Sequence, residues 1–310
     1  MNPPENTLIE IEGCNGRRIT VAGPGQWEQG VALADEDSGT DFDGMYEAPI
    51  TAIYNATAFS IGADFGGYRE DKYDFILACH IIGTPQMTWR EADSEFRKMF
   101  SVRRDSKIHV EVGGSRRSLT VRLGAKPKIK AINDPNSEGY ALALLPLVGP
   151  YPRWVQKAFE TKFITATDTT GGGTETGYVT AWNPLPEDYP SWPQWDVQGT
   201  AGIKWTIPDY SWGNDEHERA EEDALRKVTM PPLIAGEHLW IDTDKMARNG
   251  QVNSSLDTQV YLRMAGKKFM YPFPGGLKKT QIPVTVTGAP IGAGIRLRCL
   301  LEWPRPWGLE

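Results

Sequence analysis

The residues able to do chemistry are sparse and badly spaced for it. The four histidines are His80, His109, His217 and His238. None stands four residues from another, so there is no H-E-x-x-H helix to hold zinc. His80 and His109 fall inside alternating runs and read as ordinary sheet residues. No G-x-S-x-G elbow presents a serine nucleophile. No glycine-rich loop precedes Lys-Ser or Lys-Thr at P-loop spacing, so nucleotide hydrolysis has no seat. A glycosidase needs two convergent carboxylates; Glu237, Asp242 and Asp244 are available, but among 40 acidic residues their selection is empty. The acidic loop Asp35–Gly44 (DEDSGTDFDG) carries Asp35, Glu36, Asp37, Asp41 and Asp43. Counted from Asp35, the sixth position is Thr40 and the twelfth Tyr46, where a calcium loop needs Gly and Glu, so a solvated, mobile loop is expected. Cys14, Cys79 and Cys299 are three, widely separated, and read as buried free thiols. No cofactor or metal site is expected, and no enzyme.

Tryptophans Trp182, Trp192, Trp195, Trp205, Trp212 and Trp240 crowd the second half. They read first as core or protein contacts and second as stacking platforms for sugars.

The elements around these residues are mostly strands. With 310 residues, the chain exceeds the usual single core, so two domains are expected, 1–150 and 151–310, divided at Gly149-Pro150-Tyr151-Pro152. A charged fraction of 24% and a hydrophobic fraction of 40% are those of a folded soluble protein. The net charge of −7 argues against a general nucleic-acid binder. The first residues lack a basic stretch followed by an apolar run, so no secretory signal is read there. The longest apolar run, Tyr140–Val148, falls far short of the ~20 residues that span a bilayer.

Strands are expected at Thr7–Glu12 and Arg17–Ala22, joined by the Asn15-Gly16 turn. Others are Ala48–Phe59 and Tyr73–Ile82, linked by a turn-rich Gly62–Asp71, and the buried strand Gly139–Val148. The second half offers Phe159–Thr167, Tyr178–Trp182, Ile203–Ile207, Val228–Ile234, His238–Asp242, Thr258–Met264, Gln281–Thr287 and Ile295–Trp303. The charge run in Asp215–Lys227 reads as a loop or short helix.

One helix stands out. Thr88 and Glu91 form a capping box, with Met87 and Ala92 at the staple positions. Trp89, Ala92, Phe96, Met99 and Phe100 share one face; Arg90, Asp93, Glu95, Arg97 and Lys98 take the other. Ile108–Val112 and Leu119–Leu123 then alternate, with Gly113-Gly114 beginning the connection.

A strand ending Ile81-Ile82-Gly83, a helix with Phe96-Arg97 in its core and a hairpin ending Leu119-Thr120-Val121-Arg122-Leu123 follow in order. This sequence of elements resembles the N-terminal domain of siphovirus distal tail proteins, and best the minor tail proteins of phages that infect actinobacteria. The resemblance implies a mainly β protein: an N-terminal ring-forming domain with one packed helix, then a C-terminal galectin-like antiparallel β-sandwich. It implies a structural virion protein, made in the host cytoplasm and placed at the tail tip. The expected partners are further copies of itself in a ring of about six, the tail tube protein, the tape measure and tail-tip hub proteins. DNA would pass through without specific binding, and no membrane insertion is implied. Candidate residues for subunit contact or helix packing are Trp89, Phe96, Met99, Phe100, Arg103, Arg104, Arg116 and Arg117. The acidic loop 35–43 is the candidate lumen lining. The alternative is a carbohydrate- or receptor-binding module of the tail tip.

Overall fold

The computed structural model describes residues 6–59 and 61–310. The chain is mainly β and divides into two compact units. One runs up to Gln156 and takes back Trp303–Gly308; the other runs Lys157–Glu302 with Leu309–Glu310.

The first unit contains β1 (Leu8–Glu12), β2 (Arg18–Ala22), β3 (Val31–Leu33), α1 (Phe42–Tyr46), β4 (Ile50–Asn55), β5 (Asp64–Glu70) and β6 (Tyr73–Ile82). After these come α2 (Trp89–Arg97), β7 (Ser106–Val112), β8 (Ser115–Leu123), β9 (Lys128–Lys130), α3 (Pro135–Glu138) and β10 (Tyr140–Gly149). Strands β2, β1, β7 and β8 pair antiparallel in that order. Beyond β8, β10 pairs with β8 and β9 on one side and with β6 on the other, and β6 pairs with β3. The β6–β10 ladder runs unbroken from Tyr73↔Gly149 to Ile82↔Tyr140. It passes through Pro146, whose carbonyl accepts from Gly124 N at 3.0 Å.

Period-2 alternation fixes which side chains face inward. Ile9, Ile11, Ile19, Val21, Ile108, Val110, Leu119 and Val121 are all buried. Helix α2 lies against β6 and closes this core with Trp89, Ala92 and Phe96, followed by Met99 and Phe100. Its capping box forms as expected: Thr88 N donates to Glu91 Oε2 at 2.8 Å and Glu91 N to Thr88 Oγ1 at 3.3 Å. The β7–β8 connection is tighter than the sequence suggests. Val112 already pairs with Ser115, so Gly113 and Gly114 alone make the turn, at φ +57° and +82°.

The second unit is a sandwich of two antiparallel sheets. It contains β11 (Trp154–Ile164, of which the first three residues pack with the first unit), β12 (Glu175–Asn183), β13 (Gln194–Val197), β14 (Lys204–Pro208) and β15 (Lys227–Thr229). The remainder are β16 (Leu239–Asp242), β17 (Val252–Ser254), α4 (Val260–Arg263), β18 (Leu277–Thr287) and β19 (Gly294–Trp303). One sheet has the order β17-β16-β13-β19-β11 and the other β12-β18-β14-β15. Their inner faces meet in one apolar cluster, with Trp195, Val197, Ile241 and Leu297 from the first and Val179, Trp205, Ile207, Ile282 and Val284 from the second.

Several expectations are corrected. Gly62–Asp71 is not merely a link, because it holds strand β5. Thr258–Met264 is not a strand: Val260 and Met264 are buried one helical turn apart around α4. Val228–Ile234 shortens to β15 because Pro231 and Pro232 end the ladder. Of the loop or short helix expected over Asp215–Lys227, the loop is found: a succession of turns up to the first residue of β15. Strands β3, β9, β13 and β17 are additional. Cys79 and Cys299 are buried free thiols, but Cys14 is only half-buried, with Sγ 3.7 Å from the Lys98 carbonyl.

Candidate functional site

The feature of the first unit that calls for a partner is the β4–β5 ribbon. Among the described residues its two strands pair only with each other, from Ile50↔Glu70 to Asn55↔Asp64, with a bulge at Ile53/Tyr54. Every residue of β4 is exposed. Ile50, Ile53, Tyr54, Phe65 and Tyr68 are each between 44% and 63% exposed, and Phe59 and Ile61 at the tip are fully so. Tyr54 and Phe65 make an edge-on ring contact at 5.8 Å. A two-stranded ribbon with no third layer is marginal in water, and an apolar exposed surface with bare strand edges is a binding surface or an aggregation hazard.

The base of the ribbon is firmly tied. Asp71 N donates to the Pro49 carbonyl at 2.7 Å, and the Asp71 carboxylate accepts from Thr51 Oγ1 at 2.6 Å and Arg69 Nε at 2.7 Å. Those bonds, Thr51 first, hold the Asp71 carboxyl below the usual range. Arg153 adds an ion pair to Glu70. The ribbon therefore leaves the sheet from a fixed root and presents its apolar residues outward.

The acidic loop is not the free loop expected. Thr40 is buried and donates to the Ala34 carbonyl at 2.7 Å, Asp41 N donates to the Ile76 carbonyl at 2.9 Å, and Met45 enters the core. The pattern misled because two of its acids serve local turns. Asp35 accepts from Ser38 N at 2.8 Å, which lowers its pKa, and Asp41 caps α1 by accepting from Gly44 N at 2.8 Å. Asp35, Glu36, Asp37 and Asp43 are exposed. Among the described residues, no group of three or more His, Cys, Asp or Glu is placed to hold a metal ion.

Of the residues proposed for subunit contact or packing, Trp89, Phe96, Met99 and Phe100 are buried beneath α2 and serve packing. Arg116 lies in β8, one pair in from the Gly113-Gly114 turn, and bridges Glu10 at 2.6 Å and Glu111 at 3.3 Å across β1–β7–β8. Arg117 is fully buried, so it cannot be a surface ion-pair residue. Its guanidinium lies 3.8 Å from the Trp303 ring centroid and donates to the carbonyls of Arg305 at 2.9 Å and Gly308 at 3.0 Å. It pins the closing segment into the first unit. Arg103 and Arg104 are exposed on the turn before β7, and among the described residues neither forms an ion pair.

Two buried networks gave no sequence signal. His109 Nε2 lies 3.1 Å from Glu12 and Nδ1 2.6 Å from Ser118 Oγ, which staples β1, β7 and β8 together. In the second unit Glu237, wholly buried, accepts from Ile234 N at 3.0 Å and Ser254 Oγ at 3.1 Å, and also from Thr258 and Arg263. The first joins residues 97 apart, Glu12 and His109, whereas the second stays within 26 residues of Glu237.

A mainly β chain with one packed helix, a projecting ribbon and a terminal sandwich defines a class by its fold. The crystal structure of SPP1 Dit (gp 19.1), described as a paradigm of the hub adsorption apparatus of phages infecting Gram-positive bacteria, superposes with a TM-score of 0.56 at 8% identity, covering 96% of this chain and 98% of that one. In sequence, the chain is similar over its full length to minor tail protein Gp27 of Mycobacterium phage D29, 28% identical over 351 aligned positions, 98% of this chain and 99% of that protein. Gp27 of Mycobacterium phage L5 is 27% identical over the same share of each. No family model matches. The resemblance carried by the ordered strand, helix and hairpin of residues 81–123 is thus accompanied by sequence similarity over 98% of the chain.

Proposed function

We propose that this chain is a non-enzymatic structural protein of the distal tail of a phage virion, closing into a ring through its first unit. The observation that carries this reading is the β4–β5 ribbon, rooted firmly and apolar along its exposed length. A cyclic ring needs a heterologous contact, one surface of each copy meeting a different surface of the next. A projecting arm supplies one half of such a contact. Arg103 and Arg104, both exposed, are candidates for charge pairing across it. The resemblance to distal tail proteins supports about six copies, with the tail tube, tape measure and hub proteins as neighbours and the sandwich unit outside the ring. The net charge of −7 per chain suits a collar that DNA traverses without adhering, since phosphate binding needs Lys and Arg in excess. The exposed acids Asp35, Glu36, Asp37 and Asp43, with Asp41 half-buried beside them, are the candidate lining.

Light scattering on the purified 34.5 kDa chain tests the proposal. Six copies give a discrete particle of about 200 kDa and ring images under negative stain. Cryo-EM of the virion then locates the chain. Its absence from the tail tip, or a solitary copy there, would refute the ring.

A further inference from the structure

The outer face of the five-stranded sheet in the second unit holds an open groove of about 640 Å³, within the ordinary range for small-ligand sites. Its floor is built by register. Alternation sends Trp195, Val197, Leu239, Ile241, Ile295 and Leu297 into the core, so Asp196, Trp240 and Arg296 face outward. Pairing sets Asn253 opposite Trp240, Trp240 opposite Asp196, and Asp196 opposite Arg296. Four side chains thus form one row across four strands, about 14 Å long at the usual strand spacing. Lys162 and His238 also line the groove.

The row is ordered before any ligand arrives. Arg296 Nε donates to Asp196 Oδ2 at 2.7 Å, and its NH1 lies 3.2 Å from Glu160. Arg298 donates to Glu160 at 3.1 Å and sits 5.6 Å from the Trp240 ring centroid. Gly199 N donates to His238 Nδ1 at 3.2 Å, which leaves Nε2 of the neutral ring as a donor. Trp240 is 45% exposed, whereas Trp195 and Trp205 are buried and Trp182, Trp192 and Trp212 half-buried.

These features select a ligand class. Arg296 is paired with Asp196 and Glu160, which leaves Lys162 as a single surplus positive charge among the lining residues, too little to hold a polyanion. The large apolar side chain standing in the row is a single flat ring, too little for an apolar helix or strand to seat upon. What fits is a ligand with one apolar face and a rim of hydroxyls that both donate and accept.

We propose that this groove binds a neutral saccharide, with a sugar ring stacked on Trp240 and its hydroxyls bonded by Asn253, His238 and the Asp196–Arg296 pair. The site does not rest on ring formation, and each can fail alone.

The test is biolayer interferometry on the immobilised full-length protein with soluble galactan, mannan and glucan, repeated with oligosaccharides of each while tryptophan emission is followed. Wild type binds at least one saturably, with an emission change. Trp240→Ala weakens that binding at least tenfold. Asn253→Ala weakens it about two- to tenfold, the worth of one hydrogen bond. Tyr178→Ala, exposed on β12 of the other sheet, leaves it unchanged, and unaltered melting curves show that each variant is folded. Binding to none of the three polymers overturns the proposal. So does undiminished binding by folded Trp240→Ala, or another tail polypeptide filling the groove in a virion map.

Discussion

Replacing Arg117 tests whether the closing segment is held by a buried cation or merely by packing. Arg117→Ala removes two charge-assisted hydrogen bonds, to the carbonyls of Arg305 and Gly308, and the contact with the Trp303 ring. A hydrogen bond to a charged group contributes about 1.5–3 kcal/mol and a desolvated cation–π contact about 2 kcal/mol. These terms overlap, and the carbonyls can recruit water through the hole left behind, so the net loss should be about 3–5 kcal/mol. For a unit of this size that lowers its melting transition by roughly 6–20 °C. Arg117→Met separates the causes. It keeps most of the volume and buries no charge, so if desolvation of the guanidinium is a real cost, it should lose less than half as much. Differential scanning calorimetry reads both, with the sandwich unit's transition as the internal reference. Arg117→Ala within about 1 kcal/mol of wild type, or Met as damaging as Ala, would refute the reasoning.

Ile53→Glu with Tyr68→Lys on the ribbon should leave the melting curve within about 0.5 kcal/mol of wild type, as for exposed positions, while light scattering shows the oligomer lost. Burial raises the Glu237 pKa, but bonds from Thr258, Ile234 N, Arg263 and Ser254 outweigh it, so the folded value is lowered. Its contribution is present above the unfolded value of about 4.3 and lost as pH falls through the folded one; Glu237→Gln should flatten that acid limb in melts at pH 3–6. The folded His109 pKa is also lowered, by burial above all and against the Glu12 hydrogen bond, which favours the charged form. The unfolded state then binds more protons below about pH 6.5, so His109→Gln should reduce the stability lost just below that pH, and NMR titration should place His109 below 6.5.

The legible parts of this chain are those where local chemistry and tertiary burial agree. The Thr88–Glu91 capping box and the apolar face from Trp89 to Phe100 need nothing beyond their own spacing, and α2 forms where they predict. Gly113-Gly114 likewise marks where the hairpin turns, although the strands close up to it more tightly than their alternation shows. The ribbon was hidden because β5 reads DFGGYRE: two adjacent glycines look like a turn, and a strand with neither face buried has no alternation to display. Thr258–Met264 deceived in the opposite sense, since apolar residues suited to a strand are used one helical turn apart. Arg117 reads as a subunit-contact candidate because its partners lie 186 or more residues away at the other end of the chain. In the groove, Trp240 could be named as a stacking ring, but its neighbours Asp196, Asn253 and Arg296 come from three other strands whose register no local pattern encodes.

The ribbon also bears on counting. If each molecule offers one arm and one seat for its neighbour's arm, an open arc of any length finishes with a naked arm at one end and a vacant seat at the other. Joining those ends removes both defects at once, so the finished circle gains one contact more than any arc with the same number of members. Intermediates would then be scarce at equilibrium, and the tail would acquire this part whole or not at all.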